Sequence, residues 1–177
     1  CEAEAINHDI KEEIVEFDVG AIVVATGFDM FDPASKPEYG YGKSKKVITG
    51  LDFERLVSAS GPTLGHIEIN GKTPKKVVFI QCVGSRSEQE GYPYCSRVCC
   101  MYATKEASIV KESNPEIEIN IYYMDIRAFG KGFEQFYQNA KAMGIEFVKA
   151  KVAKITEDEN QNPCVRIEMI DEDGRIE

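Results

Sequence analysis

No long apolar run occurs anywhere in this chain. The longest, Ala21–Ala25 and Val77–Ile80, are far too short to cross a bilayer as a helix. No signal peptide is visible, and no internal repeat or low-complexity tract is found. No basic stripe exists either. Acidic and basic residues are mixed along a chain of net charge −9, which argues against a nucleic-acid partner. Histidine is scarce: His8 and His66 are the only two and lack partners at ligand spacing, so both read as structural. The chain begins at Cys1 rather than Met and opens on a polar stretch, which reads as a piece of a longer protein. With 43% hydrophobic residues in 177, a real core can be buried, in one domain or part of one.

What the chain does have is a cysteine cluster. Of six cysteines, Cys82, Cys95, Cys99 and Cys100 fall close together, while Cys1 and Cys164 stand apart. A secreted disulfide scaffold would be smaller and more uniformly cysteine-rich. In a chain of ordinary cytosolic character, clustered cysteines point to metal or redox chemistry, and a cytoplasmic location is the expectation.

Periodicity predicts the elements that hold this cluster. Glu13–Phe17 alternates like a strand, and Gly20–Ala25 reads as a strand buried on both faces. Residues 28–50 read as a long surface loop, functional or ordered by a partner. A short helix is expected over Asp52–Ala59, then a strand at His66–Ile69 before the turn signal Asn70-Gly71. Lys76–Cys82 is the second strong strand. Arg97–Glu112 reads as a helix with Val98, Met101, Tyr102, Lys105 and Ile109 on one face. Glu118–Met124 and Ile145–Val148 read as strands. Between them lies a helix over Gly132–Ala142 with Phe133, Phe136, Tyr137, Ala140 and Met143 inward and Gly144 as its stop. Val152–Ile155 and Val165–Ile170 read as a terminal hairpin. From residue 75 the order is strand, helix, strand, helix, strand, which predicts an α/β unit with a mainly parallel sheet.

Cys82 ends a strand, and Cys95, Cys99 and Cys100 sit at and just inside the next helix start, so the four sulfurs are expected to converge. Helix N–H groups, together with Arg86 and Arg97, favour thiolates. Single zinc ions prefer paired Cys-x-x-Cys knuckles, and none is present. Cys99 and Cys100 point about a hundred degrees apart on a helix, which suits a bulky cluster better than one small ion. Four thiolates suit a 4Fe–4S cube, although the spacing matches neither common ferredoxin pattern. Zinc, a catalytic dithiol and inert buried cysteines stay open on chemistry alone. Cys164 reads as a bystander, and Cys1 as a cut ligand or an accident of truncation.

Several stretches resemble a known family. Gly-Ala-Ile-Val-Val-Ala-Thr-Gly-Phe-Asp at 20–29 resembles the flavoprotein ATG segment. Gln-Cys-Val-Gly-Ser-Arg at 81–86, Tyr-Cys-Ser-Arg-Val-Cys-Cys-Met-Tyr-Ala-Thr-Lys at 94–105 and Tyr-Met-Asp-Ile-Arg-Ala-Phe-Gly at 123–130 resemble the heterodisulfide reductase A-subunit family of iron–sulfur flavoproteins. The resemblance runs over residues 18–175. It implies a Rossmann-like, thioredoxin reductase-like FAD/NAD(P)-binding fragment. Residues 1–70 would then be the end of the FAD-binding domain, with the ATG segment and a connecting loop. Residues 71–177 would be a nucleotide-binding-like domain carrying the cluster motif. It further implies FAD in the full-length protein, 4Fe–4S clusters, and partner subunits in a cytosolic oxidoreductase complex. The Cys82, Cys95, Cys99 and Cys100 positions match the cluster motif. Lys105 falls in the same motif, where its charge suits a reduced flavin, and Ala25, Thr26 and Gly27 fall on the flavin side.

Two departures qualify this. Gly-x-Gly-x-x-Gly is absent, and so are ferredoxin-type cysteine runs, so the fragment alone is expected to be inactive and to contribute only one wall of a flavin site. Cys82-Val83-Gly84 stands where a nicotinamide domain would begin its glycine turn, which implies that this site has been given over to a cluster. Blander roles compete: a tight strand exit at Ala25-Thr26-Gly27, a surface lysine at 105, surface pairing of Arg86 and Arg97 with Glu88, Glu90 or Glu106, and a structural Asp125–Arg127 pair. The competing function is a structural zinc or subunit-docking module built on the tyrosine-rich loop at 28–50.

Overall fold

The computed structural model describes residues 5–169, and the chain divides into two units, Cys1–Met30 and Phe31–Glu177. In the first unit no described residue enters a helix or strand. The strands expected at Glu13–Phe17 and Gly20–Ala25 are therefore not formed. Ile22, Val23 and Val24 are instead 80, 89 and 77% exposed. A strand exists only through a neighbour that takes up its N–H and C=O groups, and the described residues supply none here.

The second unit runs through two short 3-10 turns, Pro33–Ser35 and Pro37–Tyr39, to α1 (Gly50–Val57), β1 (Lys76–Ile80), α2 (Cys99–Ser113), β2 (Glu118–Tyr123), α3 (Phe133–Ala142), β3 (Glu146–Lys149), β4 (Lys151–Glu157) and β5 (Pro163–Glu168). β1, β2 and β3 form a parallel sheet in sequence order, and β4 and β5 form an antiparallel hairpin. This is the α/β class that the alternation predicts, and it is compatible with a Rossmann-like fragment. Two β–α–β crossovers carry the chain between these parallel strands, for which the right hand is the rule, and α2 packs against both α1 and α3.

Register explains the core. Val77 lies opposite Ile119, Phe79 opposite Ile121, and Ile121 opposite Phe147. With a side-chain period of two, these five share the helix-facing side, where they pack with Phe53, Ala107, Val110, Ala140 and Ile145. Phe53 meets Phe79 edge to face, with ring centres 5.1 Å apart. Burying each large side chain contributes roughly 1.5–3 kcal/mol. On the opposite side, buried Asn120 donates to Glu146 across the β2–β3 pair, which satisfies its amide.

Local chemistry sets the element ends. Thr49 caps α1 reciprocally with Asp52, starting the helix two residues before the expected Asp52. Gly144, at φ 85, ends α3, with its N–H on Lys141 and that of Ile145 on Ala140. Asn70 and Gly71 both adopt positive φ in a tight turn, but the strand expected before them is reduced to one bridge, Ile69 to Lys72. The loop at 28–50 is ordered from Phe31 onward by the hairpin. Lys46 Nζ donates to Gln161 O and Asn162 Oδ1, and the Tyr39 hydroxyl donates to Val152 O.

Two helix faces differ from expectation. The buried side of α2 is Cys99, Cys100, Ala103, Thr104, Glu106, Ala107, Ser108 and Val110, whereas Val98, Tyr102 and Ile109 are exposed. Small side chains let the helix lie close to the sheet, so the bulky stripe turns outward. On α3, Ala140 is buried and Phe133 is exposed. No helix among the described residues is long and apolar enough to cross a membrane. Cys1 and Ile170 lie outside the described residues.

Candidate metal centre

β1 gains one more ladder bond, Gln81 N–H to Tyr122 O, and then breaks at Cys82, whose φ is 62. Ser85 N–H closes the turn on Cys82 O. Gly84, at φ 74, leaves the space where a Cβ would sit to the Phe31 ring. The twelve residues between Cys82 and Cys95 are then spanned by a small hairpin. Arg86 N–H bonds Tyr94 O, Ser87 bridges Tyr92, and Lys36 Nζ holds Glu90 at 2.7 Å. The chain thus comes back toward its starting point, and the second and third cysteine positions follow beside the first.

Cys95 Sγ accepts from Arg97 N–H at 3.3 Å. Arg97 takes φ 66, and Val98 caps α2 with no side-chain bond, so Cys99 and Cys100 open the helix, buried. Gln81 Nε2 donates to Cys99 O, tying strand end to helix start. The neighbouring Cys100 and Cys82 thiols, with Cys82 N–H and the Ser96 hydroxyl nearby, hold the Cys99 thiol well below the usual range. Cys82 and Cys100 are pushed up, first by their bonds to Cys99 and then by burial. The structure thus sets Cys82, just past β1, beside the α2 start that carries Cys99 and Cys100, near enough for the three thiols to perturb one another's ionisation. Among the described residues no three His, Cys, Asp or Glu side chains hold ready-made geometry for a metal ion.

A charged rim surrounds the thiols. Arg86 Nη1 lies 2.5 Å from Asp125 Oδ1, and Arg127 Nη2 lies 3.3 Å from Asp125 Oδ2. Burial pushes the Asp125 carboxyl up, but the two guanidiniums outweigh it and hold it below the usual carboxylate range. Arg97 stacks on Phe129, 4.7 Å from the ring centre. Of the surface glutamates expected to pair with these arginines, Glu90 pairs with Lys36 instead, and Glu106 is buried with Oε2 unpartnered. Cys100 Sγ meets Asp125 O at 3.8 Å. Periodicity does not point to Phe31, Gln81 or Ser96. Gln81 and Ser96 lie inside the cysteine motifs, and no sequence signal marks Phe31.

The flavin-side residues are placed differently. Ala25, Thr26 and Gly27 are exposed, and Gly27, at φ 82, has nothing within 4 Å of a would-be Cβ. Lys105 Nζ pairs with Glu54 Oε1 at 2.6 Å on the surface between α2 and α1. Cys164 is exposed on β5.

No protein-family model matches the chain. Curated relatives do. It is 52% identical over 171 residues to the A-subunit of the H(2):CoB-CoM heterodisulfide,ferredoxin reductase of Methanothermobacter thermautotrophicus, which covers 95% of this chain and 26% of the relative. It is 49% identical over 173 residues to the iron-sulfur A-subunit of the CoB--CoM heterodisulfide reductase of Methanocaldococcus jannaschii, covering 95% and 26%. Over its aligned length the chain belongs to the heterodisulfide reductase A-subunit family. A third member, the A-subunit of the Ferredoxin/F(420)H(2)-dependent CoB-CoM heterodisulfide reductase of Methanosarcina acetivorans, is 46% identical over 170 residues, covering 95% of this chain and 21% of the relative. The chain spans about a quarter of the length of these relatives. Their names are those of heterodisulfide reductases, which are oxidoreductases.

Proposed function

We propose that this chain is the electron-transfer segment of a heterodisulfide reductase-type oxidoreductase, holding a 4Fe–4S cluster on Cys82, Cys95, Cys99 and Cys100 and exchanging electrons with FAD. The observation that carries this reading is the juxtaposition of Cys82, just past β1, with Cys99 and Cys100 at the start of α2, tied together by Gln81 Nε2 on Cys99 O. The residues fit the group: the donors are all sulfur, the Arg97 N–H already points at the Cys95 sulfur, and Arg86 and Arg97 lie in the same cysteine-bearing loop. Left-handed backbone at Cys82, Arg86 and Arg97, three non-glycine residues, marks the same loop as strained for a purpose. The words "iron-sulfur" in the names of three relatives support an iron–sulfur cofactor.

When bound, the cluster supplies one-electron storage, tuned by sulfur hydrogen bonds, burial and charge. The chain's residues do the rest: four thiolates bind, Gln81 locks strand to helix, and Phe31 and Lys36 press the cysteine loop in place. The reading gives Ala25, Thr26, Gly27 and Lys105 to one wall of the FAD site. Gly27 lets backbone approach closely, and Lys105 adds a cation once released from Glu54. It assigns residues 1–70 to the flavin-side domain and 71–177 to the nucleotide-binding-like domain, in a cytoplasmic complex with other subunits.

Anaerobic reconstitution with iron and sulfide tests this. About four irons and four sulfides per chain with a paramagnetic reduced state are expected. Serine at 82, 95, 99 or 100 should each lower cluster yield, and Cys164→Ser should not. One zinc with a silent spectrum, or damage from Cys164→Ser, overturns the assignment.

A further inference from the structure

We propose that Asp125 is a positioning residue for the cysteine centre: its carboxylate bridges Arg86 and Arg127 and keeps both cations beside the sulfurs, where they favour the more negative, reduced form. The proposal rests on the cluster reading above. Asp125 lies two residues past β2, at the same carboxyl end of the sheet as Cys82 after β1, since Ile80 and Tyr122 are paired in register. One carboxylate serves two guanidiniums, through Oδ1 to Arg86 and Oδ2 to Arg127. The rim is therefore left with an excess positive charge, in a chain whose net charge is −9.

Both arginines are anchored to a residue that itself lies against the centre, since Asp125 O is 3.8 Å from Cys100 Sγ. In keeping with this, the charge of Arg86 opposes the upward push on the Cys82 thiol, and Arg127 is influenced by Cys95 and Cys100. The nearby Arg127 N–H favours the charged form of the Cys100 sulfur. Arg86 is held further by its N–H bond to Tyr94 O, so its side chain leaves the loop from a fixed point, and 25% of that side chain remains exposed. A long arginine without a carboxylate partner spreads into water and loses its effect within a Debye length. The bridge prevents that.

The sign of one potential separates positioning from bystander charge. A carboxylate acting only through its own negative charge disfavours reduction, so neutralising it raises the midpoint. A carboxylate that acts by holding two cations does the opposite. The experiment is a potentiometric titration of the anaerobically reconstituted full chain, followed by electron paramagnetic resonance, with iron content measured in parallel. Arg86→Gln and Arg127→Gln should each shift the reduction equilibrium about tenfold against the reduced state, which is about 59 mV for one electron. Asp125→Asn should shift it in the same direction, and Asp125→Glu should recover most of the loss. A midpoint that rises or stays put in Asp125→Asn overturns the proposal, with the cluster reading intact. So does loss of iron in Asp125→Asn alongside wild-type potentials in both arginine variants, since the bridge is then structural. A wild-type chain that takes up no cluster overturns the underlying reading instead.

Discussion

Glu106 offers a direct test of the helix layer. It sits in the middle of α2, 1% exposed, with Oε2 meeting no hydrogen-bond partner. Burial pushes its pKa from 4.5 up to about 7; Lys105 opposes the shift and Glu54 adds to it. In the unfolded chain the same carboxyl gives up its proton near 4.5. Between these values the folded state binds more protons than the unfolded one, so stability falls as pH rises. About 2.5 pKa units at about 1.4 kcal/mol each make a cost of about 3 kcal/mol, absent below about pH 4.5 and complete above about pH 7. Glu106→Gln keeps the shape and removes the ionisation. Urea unfolding of both chains from about pH 4 to 8 should show the glutamine variant gaining on the parent steadily across that window, reaching about 3 kcal/mol at the alkaline end. Carboxylates that do not act on Glu106 titrate identically in both chains and drop out of the difference, leaving Glu54 as a minor contribution. A flat difference curve, or one that moves the other way, refutes the claim that this carboxyl is neutral when folded.

Gly84→Ala combines a disfavoured positive φ with overlap on the Phe31 ring and should cost about 2–3 kcal/mol in a denaturant titration; adding Phe31→Ala should recover the overlap and leave the backbone cost. Thr49→Ala removes the capping bond to Asp52 N–H and should cost about 1 kcal/mol by the same assay, while Thr49→Ser should stay near the parent.

What can be read from sequence and what cannot divide along a physical line. β1, β2, β3, α3 and the closing glycine at 144 follow from short-range pattern, because their partners lie within the same stretch of chain. The α/β alternation carries the sheet order with it. The cysteine loop is harder. Its convergence is expected from strand end and helix start, but the means is a hairpin over 86–94 held by the Lys36–Glu90 pair, a contact across more than fifty residues. The α2 face departs from its pattern for a related reason. Periodicity weighs bulk, and here bulky Val98, Tyr102 and Ile109 look outward while Ala103, Ala107 and Val110 fit against the sheet. Asp125 is visible in sequence as a charge after a strand, yet its two arginines meet it only in three dimensions.

Residues 20–25 show the same limit, because their pattern is that of a strand buried on both faces and no strand forms there. Ile22, Val23 and Val24 are exposed. If all three were buried in this chain they would contribute roughly 5–9 kcal/mol together, and a charge among them would be ruinous. Exposed, they contribute almost nothing to its folding. Val23→Asp should therefore change the unfolding free energy of this chain by no more than about 0.5 kcal/mol. Ile121→Asp, at a fully buried position opposite Phe79 and Phe147, should cost more than about 4 kcal/mol and abolish folding. Denaturant titrations of both variants decide the matter. A loss of several kcal/mol from Val23→Asp would mean that the apolar run is buried after all, and that the pattern is right about its neighbours as well as its residues. A neutral result leaves the run as a strand in sequence only, with its sheet still to be supplied.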